Sequence, residues 1–177
     1  MLEQHRKSSP KQVNCAVITV SDSRNKETDK SGKLLHELLY QENHQVNFYK
    51  IVPDEQSVIQ GVVEKQIADE SIEAIIINGG TGIAMRDVTI ESVQPMLDKE
   101  LPGFGELFRY LSYKLDIGSA SMLSRSIAGV ANQTAIFSIP GSTGAVKLAM
   151  EKLILPELGH MVMELKKDLA KIEDEHK

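Results

Sequence analysis

Ile75-Ile76-Ile77-Asn78-Gly79-Gly80-Thr81-Gly82, trailed closely by Arg86-Asp87-Val88-Thr89, is a branched apolar run that ends in glycines. Consecutive isoleucines suit a strand covered on both faces, as in a parallel sheet. The glycines let backbone N–H groups come close to a ligand, or supply the positive φ of a tight turn. Arg86 offers a planar donor fork to a phosphate and Asp87 a carboxylate to a metal ion. Taken alone, the segment satisfies both an anion site and a plain turn.

Working outward, residues 15–20, 46–52 and 134–139 are also short, apolar and bounded by turn residues, and residues 126–130 are a further strand candidate. Between them the period changes. Leu34, Leu35, Leu38 and Leu39 form one helical stripe, Val58, Ile59, Val62, Val63 and Ile67 a second, and Phe104, Leu107, Phe108, Leu111 and Leu115 a third. Ala145, Val146, Leu148, Ala149, Leu153 and Ile154 open a C-terminal helix that Pro156 and Gly159 are expected to kink or interrupt. Strands alternating with amphipathic helices predict an α/β fold, a sheet held between helical layers. In such folds ligands collect where strands end. Three polar or glycine-rich exits meet that condition: Ser21-Asp22-Ser23, Gly79 to Gly82, and Pro140-Gly141-Ser142.

The chain has 177 residues, enough for one domain with a sizeable core. We expect a leader over residues 1–12, an α/β domain over 13–165 and a charged helix end or tail over 166–177. A net charge of −5 argues against a broad nucleic-acid footprint, and no segment reaches transmembrane length, so neither nucleic acid nor membrane is an expected partner. Cys15 is the only cysteine; it sits in an apolar run, which predicts a buried spectator thiol in a cytoplasmic protein. The five histidines show no metal-ligand spacing.

Neither a dinucleotide fingerprint nor a Walker A loop is present, because Gly79 to Gly82 lacks GxGxxG spacing and Gly141 to Lys147 lacks the GK[ST] ending. Ser142 is a helix N-cap or part of an anion site at a helix start. Asp54, in Val52-Pro53-Asp54-Glu55, is a helix N-cap or, with Asp87, one of two strand-exit acids converging on a cleft. Asp22 is a turn former or a ligand contact. Arg86, Arg109 and Arg125 are candidate phosphate clamps or ordinary salt-bridge partners, and Arg86 has the most suggestive neighbours. Tyr110 and Tyr113 contact a partner or edge the core.

The ordered set Thr19-Val20-Ser21-Asp22-Ser23, Asp29-Lys30-Ser31-Gly32, Gly79-Gly80-Thr81-Gly82 with Arg86-Asp87-Val88-Thr89, and Pro140-Gly141-Ser142 resembles the MoaB/MogA family of molybdenum cofactor biosynthesis proteins. Pro102-Gly103-Phe104-Gly105-Glu106 and residues 124–130 extend the likeness, which is closer to the MoaB branch. The resemblance implies a three-layer α/β/α sandwich with a Rossmann-like, mostly parallel sheet and one antiparallel strand, assembled as a homo-trimer or hexamer. It implies molybdopterin and ATP as substrates with Mg²⁺ as cofactor, giving adenylyl-molybdopterin and pyrophosphate before metal insertion. By the same resemblance, Asp54 and Asp87 are the catalytic and Mg²⁺-binding acids. Ser21, Asp22, Ser23, Gly79, Gly80, Thr81, Gly82, Arg86, Pro140, Gly141 and Ser142 would bind substrate. The alternative within the family is a non-catalytic molybdopterin carrier, and other proteins of the pathway are possible partners in either case.

Overall fold

The computed structural model describes residues 10–175, with side chains to residue 167. Most of the expected leader and the last part of the expected tail lie outside the described residues. Six strands form one sheet: β1 (Asn14–Val20), β2 (Gln45–Val52), β3 (Ala74–Asn78), β4 (Lys99–Glu100), β5 (Ile127–Ala131) and β6 (Thr134–Ile139), in the order β2-β1-β3-β6-β5-β4. The first three strands and β6 pair in parallel, and β5 alone runs against the rest, antiparallel to both β6 and β4.

The central strands are buried on both faces, as their unbroken apolar runs require. Alternation then assigns each residue to a layer. Cys15, Val17, Ala74, Ile76, Ala135 and Phe137 face α1 (Lys30–Gln41), α4 (Pro102–Leu115), α5 (Thr143–Ala149) and α6 (Leu155–Glu175). Ala16, Ile18, Val20, Ile75, Ile77 and Ile136 face α2 (Gln56–Ile67) and α3 (Thr89–Val93). The result is a three-layer α/β/α sandwich. Cys15 is fully buried, and burial, followed by the charge of Glu73, pushes its thiol up to about 12.

Reversal at β5 is made by a two-residue connection in which Asn132 (φ 43°) and Gln133 (φ 64°) are both left-handed, the backbone that matches hairpin twist. Pro156 and Gly159 do not break the last helix. The chain instead widens into a π turn over Met150–Ile154, just before Pro156, whose missing N–H leaves a gap in the helical ladder; Gly159 continues α6. Tyr110 and Tyr113 stand more than half exposed on α4 rather than edging the core. No helix among the described residues is long and apolar enough to cross a membrane.

The order β2-β1-β3 places the site. The chain leaves β1 for a strand on one side and later returns to pair on the other, so a crevice opens at the carboxyl ends of β1 and β3.

Candidate functional site

Three strand exits meet at that crevice. Gly79, at the end of β3, has φ +100° and donates its N–H to Ile139 O at 3.0 Å. A Cβ there would lie 2.2 Å from Val20 O at the end of β1, so both conformation and contact demand glycine. Gly80 follows with φ +61°, where a Cβ would meet Thr89 Oγ1 at 2.3 Å and Asp54 Oδ1 at 2.7 Å. On the β6 side, a Cβ on Gly141 would reach Gly79 Cα at 3.0 Å. The exits of β1, β3 and β6 are therefore in direct contact around a cleft of about 380 Å³.

Most of the residues expected from sequence line it: Ser21, Ser23, Asp54, Gly79 to Gly82, Asp87, Pro140 and Gly141. Asp54 does not cap α2; Glu55 occupies the cap position without a side-chain bond, which leaves the Asp54 carboxylate to the cleft. Burial, then the charges of Asp22 and Asp87, hold the Asp54 carboxyl above its ordinary value. Asp87 packs over Gly82 and accepts the Ala84 N–H at 2.9 Å. Among the described residues no group of three or more His, Cys, Asp or Glu side chains is arranged to hold a metal. A Mg²⁺ ion keeps several waters and needs only one or two protein carboxylates beside substrate phosphates, so Asp54 and Asp87 are the residues that could hold one.

Three expected contacts lie outside the lining. Arg86 grips Asp22 with Nε at 3.1 Å and Nη2 at 2.8 and 2.9 Å, and its side chain is 61% exposed. The pair satisfies both residues away from the cleft, and Asp22 also accepts the Asp54 N–H at 3.0 Å. These bonds, Arg86 first, hold Asp22 below its ordinary value. Ser142 is the N-cap of α5, its Oγ accepting the Ala145 N–H at 3.2 Å.

Arg125 works from behind the glycine loop. Its Nε donates to Thr81 O (3.1 Å) and Gly82 O (3.0 Å), Nη2 to Asp87 O (3.0 Å), and the guanidinium also pairs with Glu91. One cation thus fixes both ends of the segment that carries Asp87. Arg109 lies in a separate, smaller hollow beside Gly105.

Arg24 and Leu123, which sequence reasoning did not single out, also line the cleft, as does Ser124 from the stretch that extended the likeness. Arg24 is anchored by a buried polar network at the start of α1. Its Nη1 donates to Ser31 Oγ at 2.5 Å, its Nη2 to Gly141 O at 3.0 Å, and Asp29 Oδ1 lies 3.6 Å away. Asp29 is fully buried and accepts from Thr19 Oγ1 (2.6 Å), Tyr49 OH (2.6 Å), Gly32 N (2.9 Å) and Ser31 Oγ (3.1 Å). Burial alone would raise its carboxyl; those four donors outweigh burial and leave it below the ordinary value. Tyr49 is raised in turn, by burial and by its bond to Asp29. Asn78 ties the network to β3, donating to Thr19 Oγ1 at 2.9 Å and lying 2.7 Å from the Ser31 hydroxyl. A larger hollow, about 490 Å³ between α1 and β2, is lined by His36, Tyr40 and His44 and lies apart from all three exits.

Residues 16–160 match the family model described as "Probable molybdopterin binding domain". Molybdenum cofactor biosynthesis protein B of Halalkalibacterium halodurans is 58% identical over 167 residues, 94% of this chain and 98% of that protein. Among solved structures, a molybdenum cofactor biosynthesis protein B superposes with a TM-score of 0.88 at 55% identity, covering 90% of this chain and 99% of the other. The tungsten cofactor synthesizing protein MoaB from Pyrococcus furiosus gives 0.77 at 39%, covering 89% and 99%.

Proposed function

Because this chain belongs to the molybdenum cofactor biosynthesis protein B family, we propose that its cleft binds molybdopterin and adenylylates it with Mg-ATP. The observation that carries the proposal is the placement of Asp54 and Asp87 in one cleft with the Gly79 to Gly82 loop, where three parallel strands end. In the reaction, an oxygen of the terminal molybdopterin phosphate attacks the α-phosphorus of ATP, the bond to the β-phosphate oxygen breaks, and pyrophosphate leaves. No side-chain nucleophile is needed, so the protein's work is positioning and charge stabilisation.

The N–H groups of Gly80, Thr81 and Gly82 find no acceptor among the described residues and are available to phosphate oxygens. Ser21 Oγ accepts the N–H groups of Ser23 and Arg24, at 3.3 and 3.2 Å, which leaves its own proton free to donate to a ligand. Asp54, held above its ordinary value by burial and two neighbouring carboxylates, is the side chain best relieved by a cation. A Mg²⁺ ion held by Asp54 and Asp87 would neutralise charge on the ATP phosphates and the leaving pyrophosphate. Exposed apolar side chains on and after α4, among them Leu107, Tyr110, Leu115 and Met122, support assembly as a trimer or hexamer, which mass measurement in solution distinguishes.

The test is incubation of purified protein with molybdopterin, ATP and Mg²⁺, following adenylyl-molybdopterin and pyrophosphate. Both products should form, and Asp87→Asn should cut turnover by at least about a hundredfold while the melting curve stays cooperative. Tight molybdopterin binding without either product, where an active relative makes both, refutes catalysis and leaves the carrier reading.

A further inference from the structure

We infer that Arg24 is the anion-docking residue of the cleft and that Asp29 is its positioning residue. The inference rests on the proposed function only in taking the ligand to carry a phosphate group. Arg24 is the sole Lys or Arg side chain among the described residues that line the cleft; Asp54 and Asp87 are its two carboxylates. The cleft is therefore electrostatically asymmetric. A phosphate not shielded by metal is repelled at the Asp54 and Asp87 side and attracted at the Arg24 side, beside Ser21 and Gly141.

Geometry supports a working cation rather than a structural one. A guanidinium carries five N–H donors. The protein takes one through Ser31 Oγ and one through Gly141 O, and no carboxylate closes the fork in a two-pronged pair, since Asp29 Oδ1 stays 3.6 Å away. A third of the side chain, 32%, remains exposed, and the residue lines the cleft. A Cβ on Gly141 would lie 3.5 Å from Arg24 Nη1, so glycine there leaves the approach clear. Arg86 is the contrast: its fork is filled by Asp22, outside the lining.

Asp29 sets where Arg24 stands. Being fully buried, it cannot touch a ligand. Its four donors fix it as an anion, and it shares Ser31 with Arg24, so the guanidinium faces a charge of defined position behind the cleft. Holding a fork in advance reduces the ordering that a phosphate must impose on binding.

The test is titration of wild type, Arg24→Gln and Arg24→Lys with inorganic phosphate and, separately, with molybdopterin. Arg24→Gln should weaken both by about ten- to a hundredfold, the scale of lost charge-assisted bonds. Arg24→Lys should recover only part, because the charge stays while the fork is lost. Affinities within twofold of wild type for Arg24→Gln overturn the inference. Should that variant fail to fold, Arg24→Lys decides, and wild-type affinity in it overturns the fork. For Asp29→Asn, the affinity for inorganic phosphate should fall, and that loss should vanish in the Arg24→Gln background. Equal loss in both backgrounds makes Asp29 merely structural. Wild type that binds phosphate at Arg24 but no molybdopterin sinks the proposed function alone; molybdopterin binding indifferent to Arg24 sinks this inference alone.

Discussion

Replacing Asp29 by Asn probes the fold at the point where it meets the cleft. Asn keeps the shape and one acceptor oxygen. Gly32 N–H, a backbone donor, cannot reverse, so the retained oxygen must stay on Gly32 and Ser31 and the new amide must face Thr19 and Tyr49. Two 2.6 Å hydroxyl bonds to a charged oxygen are lost, about 1.5–3 kcal/mol each. Reversed neutral bonds return about 0.5–1.5 kcal/mol each, for a net loss of about 2–3 kcal/mol. With a urea slope of roughly 2–3 kcal/mol/M for a chain of this size, the midpoint falls by about 1 M at fixed protein concentration. The loss depends on pH. Asp29 is depressed in the folded state, so its contribution is present above the unfolded carboxylate value of about 3.9 and disappears as pH falls through the folded value. The gap between wild type and variant should be full at pH 7 and narrow on acidification below about pH 4. A midpoint shift under about 0.3 M, or a gap unchanged from pH 7 to pH 3, refutes the reasoning.

Mg²⁺ at ten times its Kd should stabilise the wild type by about 1.4 kcal/mol, a rise in Tm of roughly 3–5 °C. Asp54→Asn should abolish that rise, and in EDTA at pH 7 should itself melt above the wild type. The sign follows from the raised carboxyl: its contribution to stability is present at low pH and already lost at pH 7, where Asn carries no such deficit. Equal Mg²⁺ shifts in both proteins count against Asp54 as a ligand. Cys15, buried and pushed up to about 12, should resist iodoacetamide at pH 8 in the native protein and react fully in urea; rapid native labelling would show that β1 opens.

The layers were legible because β1, β3 and β6 are buried on both faces, which leaves an apolar run that few other structures tolerate. Two features carried no such signal. β4 is two exposed residues, Lys99–Glu100, defined only by pairing with Val130 and Gly129, so its cause lies in another strand. The π turn at Met150–Ile154 preserves the apolar stripe around it, and periodicity continues across it unbroken. At the site, the three exits were legible as turn chemistry after strands, and their meeting follows from the parallel order of β1, β3 and β6. Which side chains enter the cleft depends on contacts across long stretches of chain, and there sequence neighbours mislead.

The arginines make the point in physical terms. Arg86 adjoins Asp87 in sequence, yet its best partner is Asp22, 64 residues away, and that pairing removes it from the cleft. Arg125 lies between Ser124 and Ser126, just before β5 begins at Ile127, yet its donors take three carbonyls of the loop that ends in Asp87. Arg24 follows a serine-rich turn and is steered by a carboxylate buried at the start of α1. One charge is spent on a surface pair, one on holding a loop, and one stays partly open beside Ser21 and Gly141. The proposed transfer, which uses no protein nucleophile, would draw on the second and third together: a loop that does not yield when charge develops on it, and a cation whose place is set before the substrate arrives. Loss of Arg125 should therefore disturb the Asp54 and Asp87 side of the cleft, and loss of Arg24 the phosphate side, with effects that add because the two guanidiniums share no partner.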